Sequence, residues 1–305
     1  MFDWDAIIIG GGPAGLTAGL YLSRARRRTL LLDKDTPGGY IRNIGLIENY
    51  PGFTDGVSGA GLATQMVGQA IKSGLQIESA VVTGLELFSG TRYVNCVNGT
   101  GYTTNVIILA GGSKNKKLGV PGEEELLGKG VFECAMCDGG KFEGKVVAVC
   151  GGGDAGLTEA LYMANIASRV MVIEFMPRLT ASAILQERIN ANKKITVITG
   201  AKVETIEGGE KVEGIAVSKD GKRETLKVDG VLVHIGTEPD TGCLEGIIPL
   251  DKQGYVIVNS QMQTEDPHIF AAGDIRSCSP RQVVTAVGDG AIAAITANRL
   301  LQEEG

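Results

Sequence analysis

The sequence predicts an α/β fold of two three-layer (ββα) domains, the second inserted in the first. Three observations carry this. A strand–glycine turn–helix–strand–acid pattern occurs twice, with equal internal spacing. Each copy is followed by a run of short β-rich segments. The tail after the second copy is too short to build a core of its own, so it is expected to return to the first domain.

The first copy begins with the apolar run Ala6–Ile9, a buried parallel strand. It enters Gly10-Gly11-Gly12-Pro13-Ala14-Gly15, then an amphipathic helix to about Arg26, then the strand Thr29–Leu32 ending on Asp33. Gly10 allows the tight turn, Gly12 lets the backbone approach a pyrophosphate, and Gly15 lets the helix pack close to the sheet. The helix N-terminus faces the anion, and Asp33 can accept from a ribose diol. A lone G-x-G-x-x-G is weak, but this full context makes a Rossmann-like dinucleotide site. A turn-rich stretch follows from Gly38-Gly39-Tyr40 to Gly52, then a helix over 59–72. Three β-rich runs near 80–88, 91–97 and 101–109 read as a meander entering Ala110-Gly111-Gly112.

Val146–Cys150 restarts the pattern. Gly151-Gly152-Gly153-Asp154-Ala155-Gly156 opens a second helix, and the strand Arg169–Ile173 ends on Glu174. Asp33 lies 18 residues after Gly15, and Glu174 lies 18 after Gly156, which argues for two copies of one βαβ unit. A helix near 182–191 and β-rich runs near 195–199, 201–207, 212–218, 223–229 and 230–235 follow, closing at Gly236–Pro239. Tyr255–Val258 and Ile269–Ala272 read as strands, and a long helix over about 281–302 completes the chain. The crossings are expected near Ser113–Lys117 and Thr241–Leu244. The first domain is then 1–113 with 243–305, and the second 114–242.

Between the glycine signatures lies Cys134-Ala135-Met136-Cys137-Asp138-Gly139. Two thiols at this spacing can close and reopen a small disulfide ring whose potential is set by its surroundings. Zinc would need two further ligands at suitable spacing, and neither a second Cys-x-x-Cys nor a His pair supplies them. The remaining cysteines, Cys96, Cys150, Cys243 and Cys278, have no close-spaced partner and read as inert small residues. His234 and His268 read as structural.

Bulk properties agree. The net charge of −6 disfavours nucleic acid, and the only basic cluster, Arg24 with Arg26–Arg28, suits a helix C-terminus. No apolar run reaches membrane-spanning length and no signal peptide is visible, so a cytoplasmic location is expected. The 45 glycines fit many tight turns and close backbone approaches to ligands.

Two dinucleotide sites and one dithiol imply a relay of electrons, with a fixed flavin in one site and a mobile nicotinamide in the other. Gly10–Gly15, Glu48–Gly52, Cys134–Gly139, Gly151–Gly156, Ala271–Asp274 and Arg281-Gln282-Val283 together resemble the low-molecular-weight thioredoxin reductases, in that family's order and over nearly the whole chain. The resemblance implies an FAD domain from the outer segments and an inserted pyridine-nucleotide domain carrying the dithiol. It also implies a homodimer, rotation between the domains, and a thioredoxin-like protein substrate. Cys137 is then the thiol facing the flavin, Cys134 the interchange thiol and Asp138 the general acid/base. The FAD residues it implies are Gly10, Gly12, Pro13, Ala14, Gly15, Asp33, Lys34, Gly39, Tyr40, Ile41, Asn49, Val82, Ala110, Gly111, Gly273, Asp274, Arg281, Gln282 and Val283. The pyridine-nucleotide residues are Gly151, Gly153, Asp154, Ala155, Gly156, Glu174 and Arg178; no metal is implied.

The sequence departs from that family where NADPH-using members carry a His-Arg-Arg cluster for the 2′-phosphate. Here Glu174-Phe175-Met176-Pro177-Arg178 stands instead. A carboxylate suits a ribose 2′-hydroxyl and repels a 2′-phosphate, so NADH is expected over NADPH. The alternatives are a non-nicotinamide donor, such as ferredoxin or a deazaflavin, and a dithiol oxidase that passes electrons to oxygen. Smaller departures are Tyr40 for glutamine, Gly111 for threonine, and Gly139-Gly140-Lys141 without the aromatic pair that often follows the dithiol.

Overall fold

The computed structural model describes residues 2–88, 90–244 and 246–304. In chain order the elements begin with β1 (Trp4–Ile9), α1 (Pro13–Arg24), β2 (Thr29–Asp33), α2 (Gly59–Lys72), β3 (Gln76–Ser79), β4 (Val82–Phe88), β5 (Thr91–Cys96), β6 (Gly101–Leu109) and β7 (Ser113–Asn115). Then come β8 (Val131–Phe132), α3 (Ala135–Asp138), β9 (Val146–Cys150), α4 (Asp154–Ala164), β10 (Arg169–Glu174) and α5 (Ala183–Ala191). The strands β11 (Ile195–Thr199), β12 (Lys202–Gly208), β13 (Val212–Lys219), β14 (Lys222–Leu226), β15 (Gly230–Val233) and β16 (Thr237–Pro239) follow. The chain ends with β17 (Ile269–Ala271) and α6 (Val283–Glu303).

The chain divides into two compact units, Met1–Lys114 with Glu238–Gly305, and Asn115–Thr237. The second crossing thus falls at 237/238 rather than 242/243. Residues 238–242 belong with the outer segments because Asp240 pairs with Lys34 at 3.1 Å and Thr241 Oγ1 donates to the Gly254 carbonyl at 2.8 Å.

In the first unit β3, β2, β1 and β6 run in that order, parallel, and β6 continues antiparallel into β5 and β4. The nine-residue β6 serves two neighbours on one edge. Gly101–Thr104 pair with β5, and Ile107–Leu109 take β17 in parallel. That second pairing brings the C-terminal segment back into the sheet. Side chains alternate with the two-residue strand period. Ile8, Leu31 and Ile108 pack with α1 and α6, while Ile7, Leu30, Leu32 and Ile107 pack on the meander side. Close packing of α1 on α6 needs small residues. A Cβ on Gly290 would strike the Ala14 carbonyl.

The second unit repeats this plan, with a parallel sheet in the order β11, β10, β9, β15, β8 and a separate antiparallel β12–β13–β14. Val147, Val149, Val170, Val172 and Leu232 face α4, while Ala148, Cys150, Ile173, Val231 and Val233 face the meander. One expectation fails. Tyr255–Val258 forms no strand; Val256 makes only single bridges, to Leu250 and Arg276. Its neighbours are a turn and the 3-10 segment Gly273–Ile275, and the free edge of β6 is taken by β17. Among the described residues no helix is long and apolar enough to cross a membrane.

Candidate functional site

The first glycine turn joins β1 directly to α1. Gly10 sits at φ +107° and donates to the Leu32 carbonyl at 2.8 Å. A Cβ there would strike the Ala110 carbonyl, and one on Gly15 would strike the Gly10 carbonyl. Above Gly12 a Cβ would meet nothing within 4 Å. That open space lies beside the first turn of α1, which has no side-chain cap and no acidic residue. Unspent backbone N–H groups beside open space fit an anionic pyrophosphate. Pro13 at the first helical position costs no hydrogen bond there. Asp33 accepts from the Gly11 N–H on Oδ2 and from the Asp35 N–H on Oδ1, and each oxygen keeps a lone pair for a ribose hydroxyl. Gly38 donates to the Gly11 carbonyl at 2.7 Å, and Gly39, at φ +63°, packs on Gly12. The 3-10 segment Gly39–Asn43, with Tyr40 and Ile41, follows from that contact.

The outer segments of this unit add a second group. Gly273 (φ +81°) turns the chain after β17 into Asp274, whose carboxyl burial pushes above the ordinary range, with partial relief from the Ser279 hydroxyl. Asn49 Nδ2 donates to Gln282 Oε1 at 2.9 Å, joining the turn-rich stretch to the N-cap of α6, just before Val283. Arg281, at φ +57°, lies over the Tyr255 ring and donates to its hydroxyl at 2.8 Å. Gly111 follows Ala110 with the Ile275 side chain 3.4 Å from where its Cβ would stand. Two expected residues sit apart in character. Lys34 is exposed and paired with Asp240, and Val82 lies in β4 opposite Cys96.

The second turn repeats the first closely. Gly151 (φ +119°) donates to the Ile173 carbonyl at 2.8 Å, and a Cβ on Gly156 would strike the Gly151 carbonyl. Gly153 is the N-cap of α4, with Asp154 and Ala155 opening that helix. Glu174 accepts from the Gly152 N–H on Oε2 and from the Met176 N–H on Oε1 at 2.7 Å. Asp33 does the same with Gly11 and Asp35. The differences are local. Glu174 is 8% exposed, Thr180 donates to the Gly152 carbonyl at 3.0 Å, and Asp154 accepts from the Ser182 N–H at 2.7 Å. Phe175, Met176 and Arg178 are exposed.

Cys134 and Cys137 form a disulfide across one short helical turn, with Cα atoms 5.4 Å apart. Cys134 caps α3, its Sγ accepting from the Cys137 N–H at 3.1 Å, while the Asp138 N–H donates to the Cys134 carbonyl. Cys134 is half-buried and Cys137 exposed. Asp138 Oδ1 lies 2.5 Å from Lys141 Nζ on the surface beside them. Among the other thiols, burial pushes Cys150 up to about 12 and also raises Cys96 and Cys243. These are poor nucleophiles. Burial lowers His234, partly opposed by the Glu133 backbone, and His268 is held between Arg92 and Glu304 at 2.8 Å each.

Two buried helical carboxylates escaped the sequence reading. Asp289, 5% exposed in α6, accepts from the Gly273 N–H and from Arg276. Glu159, 8% exposed in α4, accepts from the Ala135 N–H at 2.7 Å. Each is an acid within an otherwise small or apolar helical run, which is the one signal available for it.

Two such turns and a Cys-x-x-Cys disulfide define a protein class, and comparison gives the same class. The family described as pyridine nucleotide-disulphide oxidoreductase matches residues 4–290. The thioredoxin reductase of Listeria monocytogenes is 39% identical over 304 residues, covering 98% of this chain and 94% of that one. That of Bacillus subtilis is also 39% identical, covering 98% and 95%. Among solved structures, Lactococcus lactis thioredoxin reductase in its FR conformation superposes with a TM-score of 0.96 at 34% identity, covering 99% and 100%. The chain belongs to the pyridine nucleotide-disulphide oxidoreductases, and within them to the low-molecular-weight thioredoxin reductases.

Proposed function

We propose that this flavoenzyme carries electrons from NADH through FAD and the Cys134/Cys137 couple to the disulfide of a thioredoxin-like protein. The Cys134–Cys137 disulfide, in a unit that also holds the second dinucleotide-type turn, carries the reading. The first unit fits FAD through the Gly10–Gly15 turn and Asp33, with Asn49, Asp274 and Gln282 available to the rest of the cofactor. When bound, FAD accepts a hydride from reduced pyridine nucleotide and passes an electron pair to a disulfide.

The protein residues supply the thiol chemistry. One thiolate of the reduced pair attacks the substrate disulfide, forming a mixed disulfide and releasing one substrate thiolate. The second thiol, as its thiolate, attacks the mixed disulfide, closes Cys134–Cys137 and releases the other substrate sulfur. The resemblance supports Asp138 as the group that holds and returns a proton as thiolates leave. The resemblance supports Cys134 as interchange thiol and Cys137 as the flavin-facing one. Exposure within this chain favours the reverse, since Cys137 is the more open, so trapping of a mixed disulfide decides the order. The resemblance also supports a homodimer.

The site is testable through its glycines. Gly15→Ala drives a Cβ into the Gly10 carbonyl and is expected to yield protein with little or no flavin. Gly156→Ala, strained in the same way at Gly151, is expected to keep its flavin and lose reduction by nucleotide. Flavin absorbance per polypeptide measures the content of both, anaerobic bleaching by nucleotide measures reduction, and equal flavin content in the two variants would refute the allocation.

NADH over NADPH rests on Glu174. By the resemblance this carboxylate occupies the position at which NADPH-using members carry cations for the 2′-phosphate, and its bonds to Gly152 and Met176 hold it in place. Like charges at contact separation near a protein surface repel by a few kcal/mol. Anaerobic stopped-flow reduction of the bound flavin should be at least about tenfold faster with NADH. Faster reduction by NADPH would overturn the preference. Reduction by neither nucleotide would move the donor to ferredoxin or a deazaflavin, and oxygen uptake with a dithiol substrate would favour the oxidase.

A further inference from the structure

The buried carboxylate beneath the dithiol has no part in the thiol chemistry above. Glu159 lies in α4, among Leu157, Ala160 and Met163, all of which are buried. Its Oε2 accepts from the backbone N–H of Ala135 at 2.7 Å, and Ala135 is itself fully buried. That N–H belongs to the peptide joining Cys134 to Ala135, at the start of the turn that carries both sulfurs. Of the N–H groups at this turn, that of Cys137 already donates to Cys134 Sγ. The Ala135 N–H would be a further donor toward a thiolate, and Glu159 consumes it.

We propose that Glu159 is a positioning residue for the redox couple: it fixes the Cys134–Ala135 peptide and, as a buried negative charge at the start of the dithiol turn, keeps the couple strongly reducing. The physical ground is the difference between the two redox states. The disulfide is neutral, whereas the reduced pair carries thiolate character that N–H groups at a helix start stabilise. A carboxylate at that same point opposes the thiolate by charge and withholds one donor from it. Both effects disfavour the reduced form relative to the oxidised one, which suits a protein that must give electrons away. Asp138 and Lys141, on the other side of the turn, are paired with each other at 2.5 Å, and Glu133, exposed, directly precedes Cys134; substitution at Glu159 alters none of these charges. Burial raises the affinity of Glu159 for a proton, partly offset by the Ala135 N–H.

The inference rests on Cys134/Cys137 being the working couple, and the test separates the two. The holoprotein, wild type and Glu159→Gln, is equilibrated anaerobically with mixtures of reduced and oxidised dithiothreitol at fixed pH. In that exchange dithiothreitol gives up two electrons and two protons and closes its own ring, while Cys134–Cys137 opens to two thiols. Acid quench, alkylation and mass measurement of the peptide carrying both cysteines report the equilibrium constant without relying on turnover. Gln keeps an acceptor for the Ala135 N–H and removes the charge. The constant should shift about tenfold toward the reduced form, and iodoacetamide should alkylate the reduced variant faster than wild type.

Glu159→Asp, which keeps the charge, should stay closer to wild type than Glu159→Gln. It also serves as the comparison should the Gln variant fail to accumulate: a constant for Asp shifted as far as tenfold toward the reduced form would then count against a role for the charge. A Gln variant within twofold of wild type in both readouts overturns the role of Glu159. A wild-type pair that does not titrate at all overturns the underlying reading of the dithiol, and the inference with it.

Discussion

Replacing either Cys134 or Cys137 by Ser should reduce turnover with a thioredoxin-like substrate by more than about a thousandfold, because interchange needs both sulfurs. The two variants should then part company in the flavin spectrum. Cys134→Ser leaves Cys137 as a free thiol. If Cys137 is the flavin-facing sulfur, the variant with its flavin oxidised shows a long-wavelength charge-transfer band. Cys137→Ser lacks that band. The complementary readout is a mixed disulfide with a thioredoxin whose second cysteine has been removed. The assignment predicts that Cys134, retained in Cys137→Ser, forms it. A band in Cys137→Ser together with trapping only by Cys137 would reverse the two roles. Such a result would agree with exposure, since Cys137 is open and Cys134 half-buried. Other thiols are poor competitors as nucleophiles, because burial pushes Cys96, Cys150 and Cys243 up from the ordinary thiol range. Cys278 is exposed, and Cys278→Ser in the same background controls for it.

How much of this was legible depends on whether the determinant is local. The glycine turns are local: steric demand at Gly10, Gly15, Gly151 and Gly156 is met within one βα unit, so spacing alone reveals them. The pairing of Asp33 with Gly11 and of Glu174 with Gly152 follows from the same spacing. The alternation of Ile7 and Ile8, or of Val147 and Ala148, between two faces is likewise written in period two. What escaped is set by contacts distant in sequence. β8, only Val131–Phe132, exists because β15 returns to pair with it from about 100 residues later. β3 is an exposed edge strand with no apolar stripe to betray it. Tyr255–Val258 has strand-like composition, but its pairing stops at the single bridges of Val256 to Leu250 and Arg276. Glu159 and Asp289 are single acids in helices, and their partners, Ala135 and Gly273, lie 24 and 16 residues away.

Asp289 gives the second large effect. Its carboxylate is 5% exposed and accepts three hydrogen bonds: from the Gly273 N–H at 3.1 Å, Arg276 Nε at 2.6 Å and Arg276 Nη2 at 3.0 Å. It thereby ties α6 to the 3-10 segment Gly273–Ile275, the turn that presents Asp274. Removing one partner of a buried ion pair leaves the other charge desolvated and unpaired, at a cost of about 3–5 kcal/mol. Asp289→Ala should therefore lose about that much stability in urea unfolding, with the Gly273 N–H left without its partner as well. Asp289→Asn should lose less, because an amide oxygen still accepts from Gly273 or Arg276 while only the charge is gone. Arg276→Met provides the opposite truncation, and its loss combined with that of Asp289→Ala should be well below additive, as expected for two members of one network. The loss should also reach the site. With the Gly273–Ile275 turn untied, Asp274 is no longer fixed, and Asp289→Ala should retain less flavin per polypeptide than Asp289→Asn after desalting. Additive losses, or full flavin retention in Asp289→Ala, would show that Gly273–Ile275 holds its shape without α6.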